Sequence, residues 1–333
     1  MAVTARDVAR VAGVSVATVS RTLTKPDEVA ATTRTKVLNT ARGMGYRPNL
    51  TARGLTTGRT GNFGLIVPDL ENPFFAAVVK GVQSRARTAG YAVVIADSDE
   101  DPSQEADLVR ELSNKVDGLV LCSPRAPDSV ICGLALECTI VLINRQCGTI
   151  PSVTINELEG VRHAMVHLHA LGHRTIAYVG GPAASWSNRA RLNALRTVAA
   201  QQSDTDLIDL GSFQPYVSGG VAAADLVIAC GATAVLAYND LVAFGLLDRF
   251  RRRGVVVPDD ISVVGVDNIP MSALTVPSLT SVGIPLVNCG RAGVDMLLSL
   301  VRDPSVPPTH HHDLSFQLVV RESTGPVRPA DPD

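Results

Sequence analysis

Ser15, Val16, Ala17, Thr18, Ser20 and Arg21 fall within seven consecutive positions, directly after the Gly-containing turn Val11-Ala12-Gly13-Val14. Their chemistry suits a surface that reads a duplex. Hydroxyls and a guanidinium can bond base edges or phosphate oxygens, and Val and Ala can contact thymine methyls. Residues of these types do so when they occupy the start of the second helix of a helix-turn-helix, which lies in the major groove. For any single Ser or Thr, a phosphate contact and a base contact both stay open, because at least half of such bonds go to the backbone of the nucleic acid. Val8, Ala12, Val19 and Leu23 would form the small core behind that surface.

Three short helices must hold these residues. The first starts near Thr4, which with Asp7 approximates a capping box, and runs through Val8 and Val11 to Gly13. The second starts at Ser15, a good N-cap, and carries Val16, Val19 and Leu23. The third covers about 32–43, with Val37, Leu38 and Met44 on one side and Gly43 and Gly45 at its end. Residues 49–61 are polar and Gly/Thr-rich, and read as a linker holding at most a marginal helical turn or two. From residue 62 apolar strand patterns (62–67, 91–96, 118–122, 139–143, 175–179, 233–237 and 261–266) alternate with amphipathic helical ones near 74–89, 103–114, 158–171, 188–202, 216–229, 240–253 and 286–302. That alternation is the pattern of parallel α/β sheets covered on both faces. A restart near residue 160 implies two such subdomains. The fold class expected is therefore α/β: an all-α helix-turn-helix head joined to a core of two doubly wound parallel-sheet subdomains.

The charges divide in the same way. The net charge is −2, but residues 1–60 hold ten Lys/Arg against three acids, so the head is +7 and the remainder −9. A basic head on an acidic body is the footprint of a polyanion-binding module joined to something else. No apolar run is long enough to span a bilayer, and the opening residues carry charges and no apolar signal segment. A cytoplasmic, nucleoid-associated protein with no membrane partner is expected. The six cysteines (Cys122, Cys132, Cys138, Cys147, Cys230 and Cys289) form no CxxC pair, and several sit in apolar runs, so reduced and mostly buried thiols are expected. His310-His311-His312 reads as a solvent-exposed loop before a strand, and His163, His167 and His169 as surface histidines without a metal. No P-loop, GxSxG or GxGxxG stands in a supporting context, and no nucleophile–base pair is evident. Neither a catalytic site nor a cofactor is expected.

At this point a run of motifs carries a family resemblance. Asp7-Val-Ala-Arg-Val-Ala-Gly-Val-Ser-Val-Ala-Thr-Val-Ser-Arg21, Gly-Tyr-Arg-Pro-Asn49 and Ala-Arg-Gly-Leu-Thr-Thr-Gly-Arg-Thr60 are followed by Gly-Leu-Ile-Val-Pro-Asp-Leu-Glu-Asn-Pro-Phe-Phe75 and Val-Asp-Gly-Leu-Val120. Leu-Gly-His-Arg-Thr-Ile-Ala-Tyr-Val-Gly-Gly-Pro182, Tyr-Asn-Asp240, Val-Pro-Asp-Asp-Ile-Ser-Val-Val-Gly-Val-Asp-Asn268 and Val-Val-Arg-Glu-Ser-Thr324 complete the set. In this order they resemble the lactose-repressor (LacI/GalR) family over nearly the whole chain. The resemblance implies a transcriptional repressor that binds a near-palindromic operator in double-stranded DNA as a homodimer, under the control of a small-molecule effector such as a sugar, a sugar derivative or a nucleoside-like compound. It implies a head over 1–48, a hinge helix over 49–60 and a ligand-binding and dimerisation core over 61–333. The core resembles periplasmic binding proteins, with an N-subdomain of about 61–157 plus 285–312 and a C-subdomain of about 158–284 plus 313–333. Thr18, Ser20 and Arg21 match positions that touch DNA, and Val16 and Ala17 match positions that help choose the operator. Leu55, with Ala52 and Arg53 on the preceding turn, matches a leucine that wedges into the minor groove; an apolar wedge unstacks one base step, and the bend permits more contact.

The same resemblance places effector-binding residues at the carboxyl ends of strands, where ligands of α/β sheets sit. Phe74 and Phe75 match aromatics that flank the ligand, although helix-start core packing would also explain them. Asp267 matches a carboxylate that accepts bonds from ligand hydroxyls or ring nitrogens, and Arg191 a ligand-clamping arginine. Asn239 and Asp240 could bond ligand or cap the next helix. Ser185, Ser187 and Phe213 match pocket positions, as does Trp186, which could stack on a sugar face or fill core. Asn144 stands where the family usually has Asp, and Asn156-Glu157 where it often has Asp-Asn. Both departures alter the carboxylates near the ligand. A ligand-binding transport protein would explain the body but not the head, and an enzyme with a regulatory head lacks a catalytic constellation. Replacement of Leu55 by Ala should reduce affinity for the specific operator while leaving nonspecific DNA binding intact. Equal loss of both in a gel-shift titration would count against the wedge.

Overall fold

The structure is a computed structural model that describes residues 3–24, 26–46, 59–202, 204–302 and 311–328. Ala52, Arg53, Leu55 and His310 lie outside the described residues. The chain divides into two units, Met1–Gly61 and Asn62–Asp333.

The first unit holds α1 (Ala5–Ala12), α2 (Val16–Thr24) and α3 (Ala31–Gly43). Thr4 and Asp7 close a reciprocal capping box on α1, with the Thr4 amide donating to Asp7 over 3.0 Å. Gly13 ends α1 at φ +63°, a left-handed conformation that costs a residue without Cβ little. The Ser15 hydroxyl then accepts from the Thr18 amide at 3.0 Å and starts α2. Val8, Ala9, Ala12, Val19, Val37 and Ala41 form the buried core, with Leu23 packed against it. Leu38, expected on the inner side of α3, is exposed, and Ala41 takes the inner position.

The second unit contains two six-stranded sheets. The first comprises β1 (Asn62–Val67), β2 (Ala92–Asp97), β3 (Leu119–Cys122), β4 (Ile140–Ile143), β5 (Ser152–Ile155) and β11 (His311–Leu314). Their order is β11-β5-β4-β3-β1-β2, and every pairing is parallel. Four of its helices are α4 (Pro73–Thr88), α5 (Pro102–Ser113), α6 (Asp128–Glu137) and α11 (Leu286–Arg302). The second sheet comprises β6 (Thr175–Gly180), β7 (Asp206–Ser212), β8 (Ala234–Ala237), β9 (Ser262–Asp267), β10 (Thr280–Gly283) and β12 (Gln317–Val319), in the order β12-β10-β9-β8-β6-β7. Helices α7 (Glu157–Ala170), α8 (Trp186–Ala200), α9 (Val217–Ala229) and α10 (Asp240–Arg253) accompany it. Its last strand, β12, runs antiparallel to β10, a departure from the all-parallel expectation. β11 carries the first sheet to Leu314, past the crossover expected after 312. His311 and His312 lie within β11 rather than in a loop before it. His167 and His169 are half-buried and bond Thr324 and Thr205, so only His163 is the exposed histidine expected on α7.

Both sheets reverse their winding at an inner strand. From β1 the chain goes outward to β2 and then returns to β3 on β1's other side; β6, β7 and β8 repeat the pattern. Such a switch leaves a crevice beyond the carboxyl ends of the strands, because the two helical connections diverge there. The helices above the sheets pack closely. Val78 of α4 and Gly290 of α11 meet so tightly that a methyl on Gly290 would fall on the Val78 carbonyl, with the Val82 amide 2.7 Å away. Gly81 meets Val287 in the same manner. Gly290→Ala sets a helix-propensity gain of about 1 kcal/mol against an overpacking cost of about 1–3 kcal/mol. The obstruction is backbone and cannot rotate away, so the variant should lose about 2 kcal/mol in urea unfolding. A stability equal to or above that of the parent would show that the two helices can slide apart.

Candidate functional site

Two surfaces concentrate polar chemistry, one in each unit. On the head, Ser15, Val16, Ala17, Ser20 and Arg21 are exposed and Thr18 is half-buried. The Ser15 and Thr18 hydroxyls lie 2.8 Å apart, so Thr18 both helps cap α2 and keeps an edge at the surface. Val16 is 43% exposed although apolar, which the small core does not require. The helix N-terminus adds its own free amides, and these suit a phosphate.

In the second unit, the carboxyl ends of both sheets converge on a pocket lined by Asn72, Phe74, Phe75, Ser123, Arg125, Asn144, Ser187, Arg191, Pro215, Tyr238, Asn239, Asp267 and Ile284. It offers about 360 Å³ of space free of protein atoms, part of it open to solvent. Two of the lining side chains are arginines, Arg125 and Arg191. Each arginine is held by its own carboxylate. Arg191 is forked to Glu157 at 2.9 Å through both Nε and Nη2, donates to the Tyr238 carbonyl and lies 5.4 Å from the centre of the Tyr238 ring. Arg125 is forked to Glu100 at 2.7 Å through Nε and Nη2. Glu105, buried beneath, accepts from the Arg125 and Ala126 amides at 2.6 and 2.8 Å and so fixes the loop that carries Arg125. Burial pushes the Glu157 carboxyl up while Arg191 opposes it, and the bidentate geometry indicates an ionised pair. Burial would lower the Arg125 guanidinium, but Tyr238, Glu100 and Glu105 hold it well above its ordinary value.

Two further groups on the wall carry acceptor oxygens. The Asn144 amide donates to the Ser123 hydroxyl at 2.9 Å, leaving its buried Oδ1 without a partner. Asp267 is buried, and its carboxyl is pushed well up by burial and by the Asp240 charge. Ser123, Asn144 and Asp267 have φ of +48°, +56° and +109°. Left-handed backbone costs a non-glycine residue of order 1–3 kcal/mol, so three instances around one pocket are local strain held by the surrounding fold.

Phe74, Phe75, Asn144, Ser187, Arg191, Asn239 and Asp267 therefore come together as expected from their positions, but three companions do not. Ser185 caps α8 and bonds the Ser187 and Tyr238 hydroxyls at 3.0 Å behind the pocket wall. Phe213 packs against the core of the second sheet. Asp240 is fully buried and accepts from the Ile269 amide and the Ser272 and Ser281 hydroxyls at 2.6–2.9 Å, so it ties β8, β9 and β10 together and faces no solvent. Asn239 lines the pocket, yet its amide is used by the Pro215 carbonyl and the Val242 amide, which makes it the cap of α10. Trp186 lines a separate open groove with Gln146 and Asn156. Sequence reasoning missed Asn72, Ser123, Arg125, Pro215, Tyr238 and Ile284. Ser123 and Arg125 directly follow β3, so the strand-end rule applied to that strand would have found them.

Residues 4–49 match the family of bacterial regulatory proteins, lacI family, and residues 165–324 match the periplasmic binding protein-like domain. The ribose operon repressor of Halalkalibacterium halodurans is 32% identical over 96% of this chain and 97% of its own. The chain belongs to the lacI family. The transcriptional repressor CytR of Escherichia coli K12 is 31% identical over 97% of this chain and 96% of its own. Among solved structures, the lac repressor dimer bound to operator and an anti-inducer matches with a TM-score of 0.86 at 28% identity, over 98% of this chain and 100% of that one. A LacI family regulator from Enterococcus faecium with bound ribose matches with a TM-score of 0.70 at 27% identity, over 80% and 100%. This lacI-family chain is thus a DNA-binding transcriptional regulator with the family's α/β core.

Asp240 generates a pH prediction. Burial raises its carboxyl to about 6, against the ordinary 3.8. Its folded value is the higher one, so between these two pH values the folded state holds a proton that the unfolded chain releases. The Asp240 contribution to stability therefore falls as pH rises through that window. Urea unfolding at a series of pH values should show this slope in the parent and its loss in Asp240→Asn. An identical pH dependence in both would show that Asp240 keeps an ordinary carboxyl.

Proposed function

We propose that the chain represses transcription as a homodimer, one head on each half of a near-palindromic operator, with a small molecule in the inter-sheet pocket setting its affinity for DNA. Ser15, Val16, Ala17, Thr18, Ser20 and Arg21 form the major-groove surface, and Ala52, Arg53 and Leu55 the minor-groove element. The lac repressor dimer bound to its operator supports this arrangement by likeness. A two-fold protein matches a two-fold site, so operator symmetry and dimer symmetry imply one another. The ligand changes operator affinity only to the extent that it binds the two states of the protein differently. Acting on chromosomal DNA, such a regulator works in the bacterial cytoplasm.

One observation carries the ligand class: Asn144 Oδ1 is buried on the pocket wall without a partner and Asp267 stands beside it with acceptor oxygens, while both arginines already hold carboxylates. A hydroxyl-rich, uncharged ligand satisfies these acceptors, and Phe74, Phe75 and Ile284 supply an apolar face for its ring. A phosphate or carboxylate would find both guanidinium groups already paired with carboxylates. The bound ribose and cellobiose of structural neighbours agree with this reading. Calorimetric titration with neutral sugars and nucleosides, set beside sugar phosphates and sugar acids, tests the class. Binding confined to the neutral compounds is expected, and tighter binding of the phosphorylated forms would overturn it. Asp267→Asn should weaken the bound neutral ligand by roughly 3–10-fold, the worth of one hydrogen bond. Gel shifts with promoter DNA, with and without that ligand, test the regulator itself; no DNA binding at low salt would refute the whole reading.

A further inference from the structure

Behind the Asn144 side of the pocket stand two thiols from different elements. Cys132 is exposed on α6, and Cys147 is buried in the loop between β4 and β5, three residues after Asn144. Their Sγ atoms lie 3.0 Å apart. Gly148, at φ +53°, brings the loop against Cys132 so closely that a methyl there would sit 3.7 Å from the Cys132 sulfur. The same loop is anchored at its start. Arg145 donates to the Pro124 and Ala126 carbonyls at 2.7 and 3.0 Å and to Asp128 at 2.6 Å, while Cys147 reaches the Asp128 carbonyl at 3.5 Å. The loop and α6 are thus already docked with the two sulfurs next to each other. The other cysteines differ. Cys122 and Cys289 are closed off in the core, and Cys138 and Cys230 bond carbonyls of their own helices.

We propose that Cys132 and Cys147 are the site of a reversible intramolecular disulfide, formed by a peroxide, that locks the pocket-wall loop onto α6. Cys132 is the entry point because it is the exposed thiol. Burial, Cys132 and the nearby Asp128 charge push the Cys147 thiol up to about 12, so it waits as a protonated group. In the first step the Cys132 thiolate attacks hydrogen peroxide. An S–O bond forms, the O–O bond breaks, and the departing hydroxide takes a proton and leaves as water. In the second, the Cys147 sulfur displaces hydroxide from the Cys132 sulfenic acid. The S–S bond forms, the S–O bond breaks, and the Cys147 proton leaves with the hydroxide as a second water. Two thiols and one peroxide become one disulfide and two waters, and a dithiol reductant reverses the change. The bond joins residues 132 and 147 around the strand β4, whose end carries Asn144. It therefore fixes one wall of the pocket without touching a ligand.

The test uses the full-length protein. After hydrogen peroxide treatment, free thiols are alkylated and the protein is digested for mass spectrometry. A linked Cys132–Cys147 peptide lighter by two hydrogens, lost on treatment with dithiothreitol, is expected. Alkylation of both residues, a sulfinic acid at Cys132 or a disulfide between chains would overturn the proposal. Cys132→Ser, a change at an exposed position, should abolish the linked peptide and leave the untreated protein's melting temperature unchanged. Hydrogen exchange reads the locking: residues 144–150 should exchange several-fold more slowly in the oxidised protein than in the reduced, with no such difference in Cys132→Ser. Equal exchange in a protein that carries the link would overturn the locking.

Discussion

Glu157 and Arg191 hold each other at 2.9 Å through two hydrogen bonds, both side chains almost fully buried. Glu157 begins α7, directly after the chain leaves the first sheet for the second, and Arg191 lies one turn into α8. The pair therefore fastens a crossover between sheets to the wall of the pocket, and Arg191 extends the link to the Tyr238 carbonyl after β8. Two charges removed from water are costly to bury, and only mutual hydrogen bonding with good geometry offsets that cost. Neither residue can be changed alone without leaving an unpaired charge inside the protein. The arrangement also determines what the pocket offers. An arginine neutralised by its own carboxylate is a positioned donor and a flat surface rather than a site for an anion.

The same logic recurs at Arg125, forked by Glu100 over a loop that Glu105 fixes from beneath. With both cations balanced, Asp267 and the Asn144 carbonyl oxygen define the remaining demand, which is for hydrogen-bond donors. Strained backbone at Ser123, Asn144 and Asp267 surrounds that demand. Strain persists only where packing overdetermines it, and here two sheets supply the packing. The pocket wall and the thiol pair behind Asn144 share one loop, so the segment that faces ligand on one side faces an oxidant-accessible cysteine on the other.

Legibility in the sequence followed how much each element depends on its neighbours. Long apolar runs that are buried on both faces, such as 63–67 and 261–266, announce themselves as strands because every residue in them is apolar or small. β7 does not, since it is a half-exposed edge strand of mixed polarity, and β10 has Thr280 and Ser281 as two of its four residues. Pro215 and Ile284 follow these two strands, so missing the strands also hid the pocket residues behind them. Asp240 and Ser185 sit beside true pocket residues in the chain, yet their side chains point into the fold, which spacing along a helix start cannot reveal.

By itself the sequence determined the two-part organisation, the basic head, the alternation of strand and helix, and the family. These depend on local pattern, on charge and on an ordered set of motifs. Only the tertiary structure decided which strand-end groups are spent and which are free. Arg191, expected to clamp a ligand, lines the pocket with its guanidinium held by Glu157, 34 positions away in the chain. Asp240 was equally open to ligand or helix cap and is neither, because Ile269 and Ser272 after β9 and Ser281 on β10 surround it with three donors. A polar group's partner is chosen by what folding brings within about 3 Å, and that distance carries no trace in linear spacing.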